Sequence, residues 1–539
     1  MASVLSVERS GRANATHIRG GSRGATQRGA DDNGPDIDDA APAQCASAAL
    51  RETPHARKRC LARPRARVLA ERWTAALKTL DVPGFAVAVV KDGAVLALDG
   101  FGVRNVAGDR ATPDTCYYIA SATKPFTAMA ACLLAAEDAV ELDEPVLEYL
   151  PQLELRDPEL TQSLTLRDLL CHRPGLESGP IVHRDAYSGQ ISDALYFTLL
   201  RDAEIAYQVR YSNVHFTLAA RVLEAVSGKK WQDLLAERLF APLGMSRTTA
   251  YASAMYGEGE HADPMLRVDG AWTRSPLRKT DRTMHAAGGI GTTARDAARW
   301  LLVNTGCGAL DGRQLLPKEI ANEYFSQQSA HPRPSGRIRI EEGFALGWNI
   351  GKYRERTRPY LFHGGGYVGA ASYFCFLPVE RIGVAVLVNT GEGGADLATL
   401  VSIDVLDRLL GVTGQPDLLP TYEDGARKRR ESARPRPSGA NPARAADGLT
   451  KAPEQYAGTY THPLEGELEV LLEQGALRAR NGDLPYALVS TGPDAFTAWV
   501  VPGMTATGRF ELDSGGAVVA VELTADKVTN RFRRAGAQK

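Results

Sequence analysis

The pattern of hydrophobic and polar positions changes near Arg67. Residues 1–65 are rich in Ala, Arg, Gly, Ser and Asp and contain few large apolar side chains. Such a segment buries too little surface to offset the entropy of ordering, so we predict a disordered extension over 1–65. Beyond it, apolar residues recur at helical spacing and predict an amphipathic helix; they are Leu69, Trp73, Ala76, Leu77 and Leu80.

Later segments change from helical spacing to strand patterns and back again. Runs of β-branched and other apolar residues separated by tight turns predict two antiparallel pairs, one at each end of the region 66–411. Helices and loops alternate between them. The predicted strands are 85–90, 94–103, 371–377 and 382–389, and a helix over 395–410 closes the unit. This order predicts an α+β fold, with an antiparallel sheet flanked by helices plus a mostly helical subdomain.

Two T-x-x-D segments within the helical part resemble capping boxes. They are Thr165-Leu-Arg-Asp168 and Thr293-Ala-Arg-Asp296. Each is predicted to begin a helix.

The last quarter of the chain has a different composition. Residues 412–450 are rich in Pro, Gly and Arg and are predicted to form a solvated linker. Residues 451–539 contain short runs of alternating apolar and polar residues separated by Gly, Asp and Asn. They predict a small all-β domain, a barrel or a sandwich.

Charge and cysteine content exclude several classes of protein. Lys plus Arg total 63 and Asp plus Glu 64, a formal net charge of -1, whereas nucleic-acid binding needs a basic excess. The sequence contains no run of about 18 apolar residues, so no transmembrane segment is predicted. The seven cysteines include no C-x-x-C pair and the ten histidines are dispersed, so we predict no metal site and no cofactor.

The first segment that indicates chemistry is Ser121-Ala-Thr-Lys124, which leads into a strongly apolar helix. Residues three apart share a helix face, so the lysine amine can reach the serine hydroxyl. Desolvation against that helix would lower the lysine pKa and let it accept the serine proton. The pattern is weak alone, because Ser227-Gly-Lys-Lys230 also matches it at the end of a helix. A G-x-S-x-G match at residues 20–24 lies in the extension, without the strand and helix of a nucleophile elbow.

Two further segments add polar groups and glycines. Tyr211-Ser-Asn213 precedes a predicted helix, where the phenol could shuttle a proton and the amide could bind a substrate carbonyl. Alternatively, Tyr211 is a buried aromatic residue and Asn213 an N-cap. The glycines of His363-Gly364-Gly365-Gly366 allow either a ligand to approach the backbone or a bulge in a strand.

Taken together, these motifs resemble the serine β-lactamase and penicillin-binding protein superfamily, in the class C β-lactamase-like branch. The resemblance covers about 67–411, and residues 451–539 resemble the lipocalin-like domain often appended to such hydrolases. The resemblance to the β-lactamase superfamily implies that Ser121 is the nucleophile and that Lys124 and Tyr211 transfer protons. It also implies that the N–H groups of Ser121 and Gly366 form the oxyanion hole. The implied substrate-binding residues are Asn213, His363, Gly364 and Gly365.

The third motif departs from the Lys-Thr-Gly or Lys-Ser-Gly of β-lactamases. Gly364 lacks the hydroxyl that helps to hold a substrate carboxylate, and His363 makes the cation dependent on pH. We therefore expect an esterase or a D-amino-acid amidase or peptidase acting on a small-molecule or peptide substrate. Alternatives are a penicillin-binding DD-carboxypeptidase or weak β-lactamase, or an inactive binding or scaffold homologue.

Three matters stay open on the sequence. Residues 1–65 lack the apolar stretch of a secretory signal, so a cytoplasmic location is predicted. Relatives are nevertheless often periplasmic or secreted. An Arg- and Ser-rich start also fits a transit peptide or a start site assigned too far upstream. The oligomeric state is not predicted, and His172, His215 and His285 are interpreted as structural or capping groups.

Overall fold

A computed structural model describes residues 63–257, 259–333, 338–354, 357–432, 448–525 and 527–536. Of the predicted extension, residues 1–62 lie outside the described part, and 63–65 belong to the first helix. The α-helices are α1 (Arg63–Thr79), α2 (Lys124–Ala135), α3 (Val146–Tyr149), α4 (Pro158–Ser163), α5 (Leu166–Leu170), α6 (Gly179–His183), α7 (Asp193–Arg201), α8 (Asn213–Ser227), α9 (Trp231–Leu235), α10 (Ala241–Leu243), α11 (Ala252–Met255), α12 (Ala294–Thr305), α13 (Lys318–Phe325), α14 (Gly394–Leu410) and α15 (Leu419–Ser432).

The strands fall into a large sheet, a barrel and four short pairs. They are β1 (Gly84–Lys91), β2 (Ala94–Gly102), β3 (Tyr117–Tyr118), β4 (Gly175–Glu177), β5 (Glu204–Ala206), β6 (Met265–Val268), β7 (Ala271–Arg274), β8 (Gly291–Thr292), β9 (Ala309–Leu310), β10 (Arg313–Gln314), β11 (Ser329–Arg333), β12 (Arg339–Phe344), β13 (Asn349–Tyr353), β14 (Arg358–Tyr367), β15 (Ala370–Leu377), β16 (Ile382–Val388), β17 (Gly458–His462), β18 (Gly466–Glu473), β19 (Ala476–Asn481), β20 (Leu484–Gly492), β21 (Ala495–Val501), β22 (Met504–Leu512), β23 (Val518–Ala525) and β24 (Val528–Arg534).

The large sheet has the order β11-β12-β13-β14-β15-β16-β1-β2, and all its neighbours are antiparallel. Successive side chains of a strand point to opposite faces of the sheet. On the central strands the side chains of both faces are buried. On β1, Ala86 and Val90 pack with α2, α8 and α12, whereas Phe85 and Val89 pack with α1 and α14. The predicted α+β class is confirmed, as are the predicted terminal hairpins and closing helix.

The helical subdomain lies between β2 and β11, with the buried helix α2 at its centre. The predicted capping box at Thr165 is confirmed, since Thr165 and Asp168 cap each other's backbone N–H. At Thr293 only half of the box forms. There the Asp296 carboxylate accepts instead from the N–H of Arg247, at 2.7 Å, and from the hydroxyl of Thr248.

Strands β17 to β24 form a closed antiparallel barrel in chain order. Helix α15 lies within the predicted linker; its Ala426 is buried against the sheet cluster, and its Arg429 pairs with Asp396 of α14. The barrel contacts the main domain through an apolar cluster that includes Leu266 and Leu277, and through polar groups. The Asp483 N–H donates to Ser188 O at 2.9 Å, and its carboxylate accepts from the Thr280 hydroxyl. In the parts of the chain that the structure describes, no helix is long and apolar enough to cross a bilayer.

Candidate active site

Ser121 lies in a single 3₁₀ turn, Ala120–Thr123, between β3 and α2. Two hydrogen bonds hold Ile119, the residue before the turn. Ile119 donates its N–H to Ile290 O at 2.9 Å and accepts from the Ser372 hydroxyl at 2.7 Å. Ala120 has a φ of 48°, a left-handed conformation that is uncommon for a residue with a β-carbon. Backbone strain of this kind concentrates at functional sites, where the surrounding structure enforces it.

Lys124 begins α2 and is fully buried. Its Nζ donates to Asn213 Oδ1 at 2.7 Å and to Ala287 O at 2.8 Å. It also lies 4.6 Å from the centre of the Tyr211 ring. The fold therefore brings together the residues of the first two motifs, which are far apart in the sequence.

The second motif opens α8, whose N-cap residue is Ser212 and whose first helical residue is Asn213. The alternative of Asn213 as N-cap is therefore wrong. Because its Oδ1 accepts from Lys124, its Nδ2 amino group is the donor that can face a substrate carbonyl. Tyr211 precedes the helix and is half-buried.

The glycines of the third motif lie on β14 and have different surroundings. A β-carbon on Gly365 would come within 2.0 Å of Ile119 O and 2.4 Å of Ser372 Oγ. One on Gly364 would meet the Tyr373 ring at 3.6 Å, and one on Gly366 would meet nothing within 4 Å. At Gly365 the close approach to the backbone is made by Ile119, the residue before the turn that contains Ser121, and not by a ligand.

His363 is buried beside this turn, with its ring centre 6.1 Å from that of Tyr211. Its Nδ1 lies 2.7 Å from Gly364 O, and because a carbonyl only accepts, the ring hydrogen is on Nδ1. Burial and the nearby Lys124 lower the pKa of His363 to about 3. The His363 ring is therefore neutral near pH 7, and the expectation of a pH-dependent cation is wrong. The neutral ring offers Nε2 as a hydrogen-bond acceptor.

One buried lysine near the site matches no motif. The Lys279 Nζ donates to Ala186 O at 2.7 Å and lies 4.2 Å from the ring centre of Tyr367, the residue after Gly366. Burial lowers the pKa of Lys279 to about 7. A single lysine in a loop has no sequence signal that distinguishes it, because its burial depends on tyrosines from distant segments. In the described residues, no group of three or more His, Cys, Asp or Glu side chains could hold a metal ion.

We expect the stability of the protein to fall as the pH decreases from about 7 to 5.5. Burial lowers the pKa values of His172, His215, His285 and His363 in the folded state. Below about pH 6.5 the unfolded chain binds protons that the folded protein does not, at roughly 1 kcal/mol per pH unit for each group. Asp185, whose pKa burial raises to about 6, opposes the effect by about one group.

Urea unfolding at pH 7 and pH 5.5 measures this difference. Ordinary carboxylates stay ionised across that window, so the histidines dominate it. Equal free energies of unfolding at the two pH values would contradict the buried neutral histidines.

The profile of the Beta-lactamase family matches residues 67–406, and the chain belongs to this family. An unguisins hydrolase of Aspergillus campestris is 26% identical over 74% of this chain and 76% of its own length. Penicillin-binding protein 4 of Amycolatopsis lactamdurans is 27% identical over 63% of this chain and 88% of its own. A D-aminopeptidase of Gluconobacter oxydans is 28% identical over 62% and 60%.

Solved structures share the fold. The octameric penicillin-binding protein homologue from Pyrococcus abyssi superposes with a TM-score of 0.57 at 21% identity, over 87% of this chain and 99% of that chain. A structure of SurE gives 0.52 at 20% identity, over 87% and 98%. The resemblance inferred from the three motifs is thereby confirmed at the level of the superfamily.

Proposed function

We propose that this hydrolase-family protein acts through an acyl-enzyme on Ser121 and cleaves an ester or an amide or peptide bond. The observation that carries the proposal is the position of the Lys124 amine. It lies one helical turn from Ser121 and donates to Asn213 Oδ1 and Ala287 O. When neutral, the amine can donate its two hydrogens to these acceptors and accept the serine proton on its lone pair.

In this mechanism the Ser121 oxygen attacks the substrate carbonyl while its proton passes to the Lys124 amine. The negative charge on the carbonyl oxygen is stabilised by the N–H groups of Ser121 and Gly366, the latter beside open space on β14. Tyr211, above the lysine, relays the proton to the leaving group, and the carbonyl–leaving-group bond breaks. Water then attacks the acyl-enzyme by the reverse proton path and restores the Ser121 hydroxyl.

The third motif supports a substrate without a carboxylate beside the reacting bond. A neutral His363 has no positive charge to hold an anion, and Gly364 has no hydroxyl. The acceptor at Nε2 instead suits an N–H or O–H group of the substrate. The relative named unguisins hydrolase supports hydrolysis, and the relative named D-aminopeptidase supports an amide or peptide bond, so we favour that bond over a β-lactam.

We expect one fluorophosphonate adduct per chain, on Ser121, in the intact mass of the wild-type protein. Ser121→Ala should give no adduct, because its position lacks the nucleophile. Ser227→Ala is the matched control, since Ser227 is in the second S-x-x-K segment but donates to Leu223 O at 2.6 Å at a helix end. It should be labelled like the wild type.

A fluorescent penicillin run in parallel separates the alternatives. Fluorophosphonate labelling without penicillin labelling supports ester or amide cleavage, and labelling of Ser121 by both would favour the penicillin-binding alternative. A folded wild-type protein that neither probe modifies would contradict the proposal and favour a non-catalytic homologue.

A further inference from the structure

We propose that His172 is a positioning residue, which holds Tyr211 in place through an accepted hydrogen bond at Nδ1. The inference rests on the proposed function, because it concerns the proton relay of the same site. On the sequence alone, His172 is interpreted only as a structural or capping group.

His172 binds the loop of Tyr211 on both sides of the tyrosine. Its backbone carbonyl accepts from the Arg210 N–H at 3.0 Å, and its Nδ1 accepts from the Ser212 N–H at 3.1 Å. The two bonded N–H groups belong to the residues immediately before and after Tyr211. A single residue therefore anchors the backbone on both sides of the tyrosine.

The imidazole ring also contacts the tyrosine that the loop carries. The ring centres of His172 and Tyr211 are 4.6 Å apart at an interplanar angle of 35°. Phe344 packs edge-on against His172 at 4.7 Å, and Phe216 lies at 5.4 Å. Packed on these sides and 1% exposed, the ring has little freedom to turn away from the Ser212 N–H.

The hydrogen bond requires one protonation state of the ring. Because Nδ1 accepts, the neutral ring carries its hydrogen on Nε2. Burial and the neighbouring His215, Lys124, His363 and Arg333 all lower the pKa of His172, which maintains that state.

The backbone of His172 is strained in a way that favours this arrangement. Its φ of 63° is in the left-handed region, where residues with a β-carbon are uncommon. The loop and the imidazole hold the residue there, as expected where the surroundings enforce a costly conformation.

Two variants separate the acceptor from the ring. His172→Asn places Oδ1 near the position of Nδ1 and tolerates a left-handed backbone, so it keeps the acceptor without the ring. His172→Phe keeps an aromatic ring and removes the acceptor. We expect His172→Phe to slow fluorophosphonate labelling of Ser121 about tenfold or more, and His172→Asn to stay within about threefold of the wild type.

His331→Phe is the matched control. His331 stacks on Phe344 at 6.0 Å and lies on β11, away from the hydrogen bonds of the loop. This variant should be labelled at the wild-type rate. Thermal unfolding of every variant shows whether it is folded at the assay temperature.

A double-mutant cycle tests whether His172 acts through Tyr211. In a Tyr211→Phe background, His172→Phe should add little further loss, because the phenol that it positions is already absent. Fully additive losses would overturn the inference, as would a folded His172→Phe variant with the wild-type rate. If His172→Phe does not fold, His172→Asn alone decides, since a tenfold loss there overturns the inference and a wild-type rate supports it. Absence of labelling in the wild type itself would instead remove the proposed function.

Discussion

Replacing Gly365 with alanine is expected to destabilise the protein by about 3 kcal/mol or more and to abolish labelling of Ser121. The added β-carbon would lie 2.0 Å from Ile119 O and 2.4 Å from Ser372 Oγ. Neither atom can retreat easily, because Ser372 Oγ donates to Ile119 O and Ile119 is also bonded to Ile290. Strand β14 and the turn that contains Ser121 must separate, which displaces Ser121.

The adjacent glycines are matched controls for Gly365→Ala. Gly364→Ala meets the Tyr373 ring at an ordinary contact distance, and Gly366→Ala points into open space. Both should unfold within a few degrees of the wild type in a thermal melt. A Gly365→Ala protein with the wild-type melting temperature would show that the turn and β14 are less closely packed than the structure gives.

Much of the site could be predicted because its signals are local. The spacing of Ser121 and Lys124 reflects one helical turn, and Tyr211 and Asn213 flank a helix start. The continuous apolar run over 85–90 likewise predicted the strand β1, in which every residue but the last is buried. These properties depend on neighbours in the chain, which the sequence displays directly.

Other properties depend on contacts between distant segments and could not be predicted. The neutral state of His363 follows from its burial beside Lys124, and histidine alone indicated only a titratable group. The requirement for glycine at 365 follows from Ile119, which another segment supplies. The composition of α15 suggested a solvated linker, yet Ala426 is buried on the sheet.

The site therefore combines a strained turn with a buried lysine, and these two features make different contributions. The turn positions Ser121 through backbone contacts on two sides, so its disruption should affect stability and activity together. Lys124 contributes a titratable amine in a packed interior, where a neutral side chain of similar length could replace it. Activity and stability should separate at this position.

Lys124→Met is expected to slow acylation of Ser121 about a thousandfold or more while the protein stays folded. Methionine has a similar length and suits the apolar surroundings of α2, but it cannot accept the serine proton. Losing the bonds to Asn213 Oδ1 and Ala287 O costs about 1–3 kcal/mol for each acceptor left unpaired. Relief from burying an amine offsets part of that cost, so the melting temperature should change by only a few degrees.

Rates of fluorophosphonate labelling and thermal melts of the same samples test this separation. Lys230→Met is the matched control, because Lys230 ends the second S-x-x-K segment but is exposed before α9. It should keep the wild-type rate and melting temperature. A folded Lys124→Met protein that is acylated at the wild-type rate would show that the serine proton leaves by another path, and the general base would have to be sought at Tyr211.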